Sequence, residues 1–333
     1  MLLKSLGSLL LSAVGTLAAV GQLQEVTNFG SNPTGVQMFV YQPPDLAEPT
    51  PLIVAMHYCT GTAQAYFSGT LYANYADTHG FIVIYPDAPD PGGCWDVHTN
   101  ETLTHNGGGD SLAIASMVRY AIANYGVDPA LVFATGTSSG AMMTNVLMGA
   151  YPDLFAAGSA WSGVPYGCFG GPDMWNNECS SGQLIKTPQQ WGDLVRSGYP
   201  GFGGTRPRFQ FWHGSEDTAL YPQNFFEDIK QWTNVFGVSQ TPTSNLTNNP
   251  IANYWRASFG PNVQAIYAIG VDHNLPLRID DVMDWFNLTK TRPANSPPPD
   301  TSPVAQWGQC GGGGWTGSTG NHIALFSLSG PSD

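Results

Sequence analysis

Gly136-Thr137-Ser138-Ser139-Gly140 decides how the rest of the chain is read. The apolar run 131–135 leads into it, and a helical stretch, 139–149, leads out. A G-x-S-x-G segment between a strand and a helix is the setting in which the central serine becomes a nucleophile. Its turn is so sharp that the flanking side chains must be small, hence the two glycines. The turn lifts the Ser138 hydroxyl to the helix N-terminus, at the top of a sheet. Ser139 is the rival hydroxyl, but it stands off-centre in the motif. A serine hydroxyl is a weak nucleophile by itself, so a base must take its proton.

Outward from this turn, short and nearly unbroken apolar runs recur at 52–56, 81–85, 209–212 and 263–269. Such runs read as strands buried on both faces. Between them, 111–125 carries apolar residues at 112, 114, 117, 118, 121 and 122, a helical spacing. Asp110 or Ser111 is its expected cap. Stretches 139–149 and 225–236 are further helices. The alternation predicts an α/β domain over 22–290, with a mostly parallel sheet covered by helices on both faces.

Bulk composition narrows the partners. The 333 residues are 42% hydrophobic, enough for one large core with a small appendage. Only 11% are charged, and the formal net charge is −13. Such a chain repels nucleic acid and acidic membrane surfaces and suits a neutral substrate, such as an uncharged polysaccharide. Lys4, an apolar run at 9–20 and the small residues Ala18, Ala19 and Gly21 read as a secretory signal peptide over 1–21. No later stretch reaches the length of a membrane span, so the mature protein should be soluble; a secreted monomer is the expected form. In an oxidising compartment the five cysteines should pair, with one left over. Asn100, Asn245 and Asn287 open Asn-x-Ser/Thr sequons, the acceptor pattern for N-linked glycans. The Pro/Ser/Thr-rich stretch 291–305 reads as an extended linker.

The partners of a Ser138 nucleophile should follow it in the order acid, then histidine. His273 follows the predicted strand 263–269, where a loop at the sheet's C-terminal edge is expected. His322 also lies late enough, but beyond the linker. Asp217, just after the run 209–212, is the candidate acid; Glu216 and Asp272 are near neighbours in the wrong places. His273 would act as general base and then general acid, with Asp217 holding its tautomer. A tetrahedral intermediate needs two backbone donors. Ser139 N–H is one, and the loop His57-Tyr58-Cys59-Thr60-Gly61 supplies the other. Cys59 N–H is preferred there, with Tyr58 and Thr60 close behind.

Several blocks together carry a resemblance: His57-Tyr58-Cys59-Thr60-Gly61-Thr62, Gly93-Cys94-Trp95-Asp96, the glycine-rich block 103–110, Gly136 to Thr144, and Ser162-Gly163-Val164-Pro165. Over 22–290 the chain resembles the fungal acetylxylan esterases of carbohydrate esterase family 1, whose feruloyl-esterase relatives share much of the pattern. The resemblance implies an α/β-hydrolase three-layer sandwich and a triad on Ser138, Asp217 and His273; nothing in the sequence has metal-ligand spacing, and no cofactor or metal is expected. It also implies acetylated xylan as substrate. The chain departs from the family at Gly270-Val271-Asp272-His273-Asn274-Leu275-Pro276, where Gly-x-Gly-His-Thr-Val-Pro is usual.

Other residues complete the expected site. Tyr58, Trp95 and Trp161 are the candidate substrate-binding aromatics, though each tryptophan also reads as core. His57 and His213 each end a strand and read as structural; His105 and Asp110 read as organisers of a glycine-rich turn. Spacing allows three pairings of Cys59, Cys94, Cys168 and Cys179; the expected ones are Cys59–Cys94 and Cys168–Cys179. Residues 306–333 resemble the start of a family 1 cellulose-binding module, a fold that needs disulfides. With Cys310 alone, this stretch is expected to be a truncated remnant that does not bind cellulose.

Overall fold

The computed structural model of the chain describes residues 20–289. Most of the expected leader, the linker 291–305 and the tail 306–333 with Cys310 and His322 lie outside the described residues. In chain order the strands and helices are β1 (Leu23–Val26), β2 (Gln37–Tyr41), β3 (Thr50–Met56), α1 (Ala63–Gly69), α2 (Tyr72–His79), β4 (Ile82–Asp87), α3 (Gly109–Tyr125), β5 (Val127–Thr137) and α4 (Ser139–Ala150). There follow β6 (Ala157–Trp161), α5 (Asn177–Ser180), α6 (Pro188–Gly198), β7 (Arg208–Gly214), α7 (Gln223–Phe236), β8 (Ser244–Thr247), β9 (Tyr254–Ser258), β10 (Val263–Ala268) and α8 (Ile279–Phe286).

All ten strands join one sheet in the order β1-β2-β4-β3-β5-β6-β7-β10-β9-β8. The run from β4 to β10 is parallel throughout. Antiparallel pairs close both margins. The five apolar runs of the sequence become β3, β4, β5, β7 and β10. Strand β3 shows why they lack alternation. Leu52, Val54 and Met56 enter the core under α3, α4, α6 and α7, while Ile53 and Ala55 enter the opposite core under α1, α2 and α8. A strand with two buried faces needs apolar residues at every position. This is the expected three-layer α/β-hydrolase sandwich.

Helix α3 corrects one expectation. Its N-cap is Gly108, with no side-chain cap bond, and Asp110 sits inside the first turn. There its carboxylate accepts the Asp96 N–H at 2.9 Å and so ties down the preceding loop. Strand β6 carries no strand signal in sequence, because Ala157-Gly158-Ser159-Ala160-Trp161 has no β-branched residue. Its small side chains have a packing cause: a Cβ on Gly158 would come within 2.9 Å of Met148 Sδ on α4.

The buried polar groups of α4 and α7 are paired across the helix layer. Asn145 Nδ2 donates to Asp228 Oδ1 at 2.7 Å, and Trp232 Nε1 donates to Asn145 Oδ1 at 3.0 Å. Burial pushes the Asp228 carboxyl well above the usual carboxylate range, against the opposing Asn145 hydrogen bond. A carboxyl raised on folding binds more protons folded than unfolded, so its contribution worsens as pH rises past the unfolded value near ~4. Asp228→Asn keeps the shape and removes the titration. We expect its Tm to exceed the parent's at pH 8 and the gap to close towards pH 4. Parallel pH profiles of Tm for the two proteins would contradict this.

Candidate active site

Ser138 sits where β5 becomes α4, with φ 56° and ψ −117°. That left-handed φ is strained for a residue with a side chain. It is held by a bond from Ser138 N–H to the Trp161 carbonyl at 2.9 Å. The flanking glycines are required by contact. A Cβ on Gly136 would strike the Gly140 carbonyl. One on Gly140 would strike the Met56 carbonyl and come within 2.6 Å of that of His57. Helix α4 thus starts against the end of β3, next to the loop expected to hold an oxyanion. Gly140→Ala is expected to destabilise the fold by about 1–3 kcal/mol, the usual cost of overpacking. It should also lower kcat, because the carbonyls it displaces carry that loop. Unchanged Tm and kcat would contradict the tight approach.

The three residues singled out from spacing come together. His273 Nε2 lies 2.9 Å from Ser138 Oγ, and His273 Nδ1 lies 2.7 Å from Asp217 Oδ2. Asp217 is buried; its Oδ1 accepts the N–H groups of Ala219 and Leu220, both at 2.9 Å. Burial works to raise its pKa, but hydrogen bonds and charge from His213 and His273 hold it well below the usual carboxylate range. With Nδ1–H donated to this carboxylate, the neutral imidazole presents a bare Nε2 to the serine hydroxyl. Glu216 and Asp272 are exposed and turned to other work: Glu216 N–H bonds the Val271 carbonyl, and Asp272 Oδ1 accepts the Asn274 N–H.

His213 does more than end a strand. Its Nε2 bonds the Leu220 carbonyl at 2.8 Å and lies 3.2 Å from Asp217 Oδ2, so it braces the acid from behind. His57 is similar. Burial pushes its pKa down, and Nε2 accepts the Ala88 N–H at 3.1 Å, which leaves Nδ1–H for the Tyr58 carbonyl at 2.8 Å. Trp95 Nε1 donates to the His57 carbonyl at 2.8 Å, and the Cys59–Cys94 disulfide staples the same loop. Thr60 N–H is committed to the Gly92 carbonyl, which leaves Tyr58 and Cys59 as donors there. His105, as expected, organises a turn: its Nδ1 bonds the Ala150 carbonyl, and its ring stacks on Tyr199.

Two of the expected substrate-binding aromatics are corrected. Trp95 is 1% exposed and Trp161 is fully buried, stacked at 4.1 Å on Trp212, so neither ring offers a face to a sugar. Tyr58, within the loop 57–61, is 41% exposed. Trp175 and Tyr221 are open as well, and they line a cleft of about 610 Å³ with Thr218 and Ala219, the residues after Asp217. Nothing in the sequence marks them, since both stand in loops without periodicity. The Cys168–Cys179 disulfide is formed and anchors the cleft wall; Asn224 Nδ2 donates to the Cys179 carbonyl at 2.9 Å, and Tyr221 N–H to that of Ser180 at 2.7 Å. The sequon residues Asn100, Asn245 and Asn287 are all exposed.

The chain is similar to known esterases in sequence and in fold. The family described as esterase PHB depolymerase matches residues 36–171. The probable acetylxylan esterase A of Neosartorya fischeri is 50% identical over 318 residues, 90% of this chain and 86% of its own. Acetylxylan esterase A of Talaromyces purpureogenus is 47% identical over 336 residues, 92% of this chain and 88% of its own. Among solved structures, the acetyl xylan esterase from Aspergillus awamori superposes with a TM-score of 0.79 at 49% identity, covering 80% of this chain and all of that one.

Proposed function

The chain belongs to the acetylxylan esterase family, and from that premise we propose that Ser138, His273 and Asp217 remove acetyl groups from xylan through an acyl-enzyme. The observation that carries this reading is the unbroken chain from Ser138 Oγ through His273 to Asp217 Oδ2. His273 Nε2 takes the hydroxyl proton as Oγ attacks the acetyl carbonyl. The oxyanion is met by the N–H groups of Ser139 and Cys59. Collapse breaks the ester C–O bond and passes the proton to the departing sugar oxygen, which leaves as a hydroxyl; water, activated by the same imidazole, then releases acetate and restores Ser138.

Tyr58 in the oxyanion loop, with the cleft along Trp175 and Tyr221, supplies exposed aromatic surface for a neutral sugar chain. The motif blocks support placement in carbohydrate esterase family 1. The leader-like residues 1–21 support secretion to an extracellular site of action. We read 291–305 as a linker. The decisive experiment measures acetate released from acetylated xylan beside ferulate released from arabinoxylan. We expect acetate release to dominate by at least an order of magnitude. Dominant ferulate release would move the enzyme to the feruloyl-esterase side of its family.

A further inference from the structure

Strand β8 is the last strand of the sheet, bonded on one side to β9 alone, and all four of its residues are exposed. A bare edge strand invites pairing with another chain unless something covers it. Asn245 stands opposite Ala257 and Thr247 opposite Trp255. Residues directly opposite in an antiparallel pair share a face. The sequon's asparagine and threonine therefore lie on the face of β9 that carries Trp255 and packs towards α7. Between that face and α7 runs a groove of about 310 Å³, lined by Asn245 together with Phe226, Trp255, Phe259 and Lys230. Phe226 is 39% exposed there, an uncovered aromatic on α7.

We propose that Asn245 is a modification site whose N-linked glycan folds back, its first N-acetylglucosamine residues seated in this groove on Phe226 and Trp255. A pyranose presents a face of C–H bonds that suits an aromatic ring, and its hydroxyls and acetamido group stay towards water. The groove is large enough for a small ligand. Because the glycan is tethered at the groove's rim, its local concentration is high without a strong site. Transfer uses a lipid diphosphate-linked oligosaccharide as donor. The bond from Asn245 Nδ2 to sugar C1 forms, the C1–O bond to the diphosphate breaks, the amide gives up one proton and the lipid diphosphate leaves. The groove forms when the chain folds, so it governs where the sugar settles rather than whether it is added. Asn100 and Asn287 line neither this groove nor the cleft beside Asp217.

The proposal rests on passage through a secretory compartment. The test therefore secretes the full chain from yeast behind the host's own leader, which makes entry independent of residues 1–21. Peptide mapping is expected to find Asn245 glycosylated. Asn245→Gln, and separately Thr247→Ala, should each lower Tm by about 2–4 °C in a protein of this size. In a Phe226→Ala background the same substitutions should shift Tm by less than about 1 °C, because the partner surface is gone. An unmodified Asn245, no Tm loss on removing the sequon, or an equal loss in both backgrounds would each overturn the proposal.

Discussion

Ser138→Ala is expected to lower kcat on an acetyl ester by about 10⁴- to 10⁶-fold, the range over which serine triads depend on their nucleophile. The substitution removes one atom and leaves the backbone alone. Alanine carries the same Cβ at φ 56° that serine does, and the Ser138 N–H bond to the Trp161 carbonyl needs no hydroxyl. Tm should therefore hold while activity disappears, which separates a chemical role from a structural one. The rival is Ser139, whose hydroxyl is buried without a partner among the described residues. The hydroxyl that bonds His273 Nε2 is that of Ser138. Ser139→Ala should accordingly leave kcat within a few-fold. If activity instead survives in Ser138→Ala and vanishes in Ser139→Ala, the nucleophile has been misassigned.

What the sequence made legible follows from how local each signal is. The turn around Ser138 is decided by five consecutive residues and their flanks, and the structure draws Asp217 and His273 to it from the ends of β7 and β10. Those two could be picked out because catalytic partners sit after strands in this kind of sheet. Strand β6 was invisible, because its residues were chosen by the closeness of α4 rather than by strand propensity. Trp161 reads as a platform because it flanks the loop that begins Ser162-Gly163-Val164-Pro165. Yet its ring points into the core against Trp212, and a direction across a sheet depends on register that no short window reveals. Trp175 and Tyr221 escaped for the opposite reason. Only folding brings their two loops together, one stapled by Cys168–Cys179 and the other following Asp217. His213 and His57 read as structural from sequence, but which residue each braces leaves no mark there. Each shows its role through a partner on a different segment or in the adjoining loop.

The acid of the triad gives the second large effect, and its mechanism can be followed atom by atom. Asp217 Oδ1 is held by two backbone N–H groups, from Ala219 and Leu220, and Oδ2 accepts the hydrogen bond of His273 Nδ1–H. Asparagine has one oxygen. Two fixed donors will hold it at the Oδ1 position, so the amide NH2 must face His273. Nδ1 then has to accept, the imidazole proton moves to Nε2, and the group facing Ser138 Oγ is a donor rather than a base. Asp217→Asn is therefore expected to lower kcat by about 10⁴-fold. Stability gives an independent readout. A carboxyl held below its ordinary range contributes stability above the unfolded value near ~4, and loses it as pH falls through the folded value. The variant should melt below the parent at neutral pH, with the difference shrinking in acid. A kcat within ten-fold of the parent would mean that some other group orients His273. A Tm gap that did not shrink in acid would mean that Asp217 is not held as an ion.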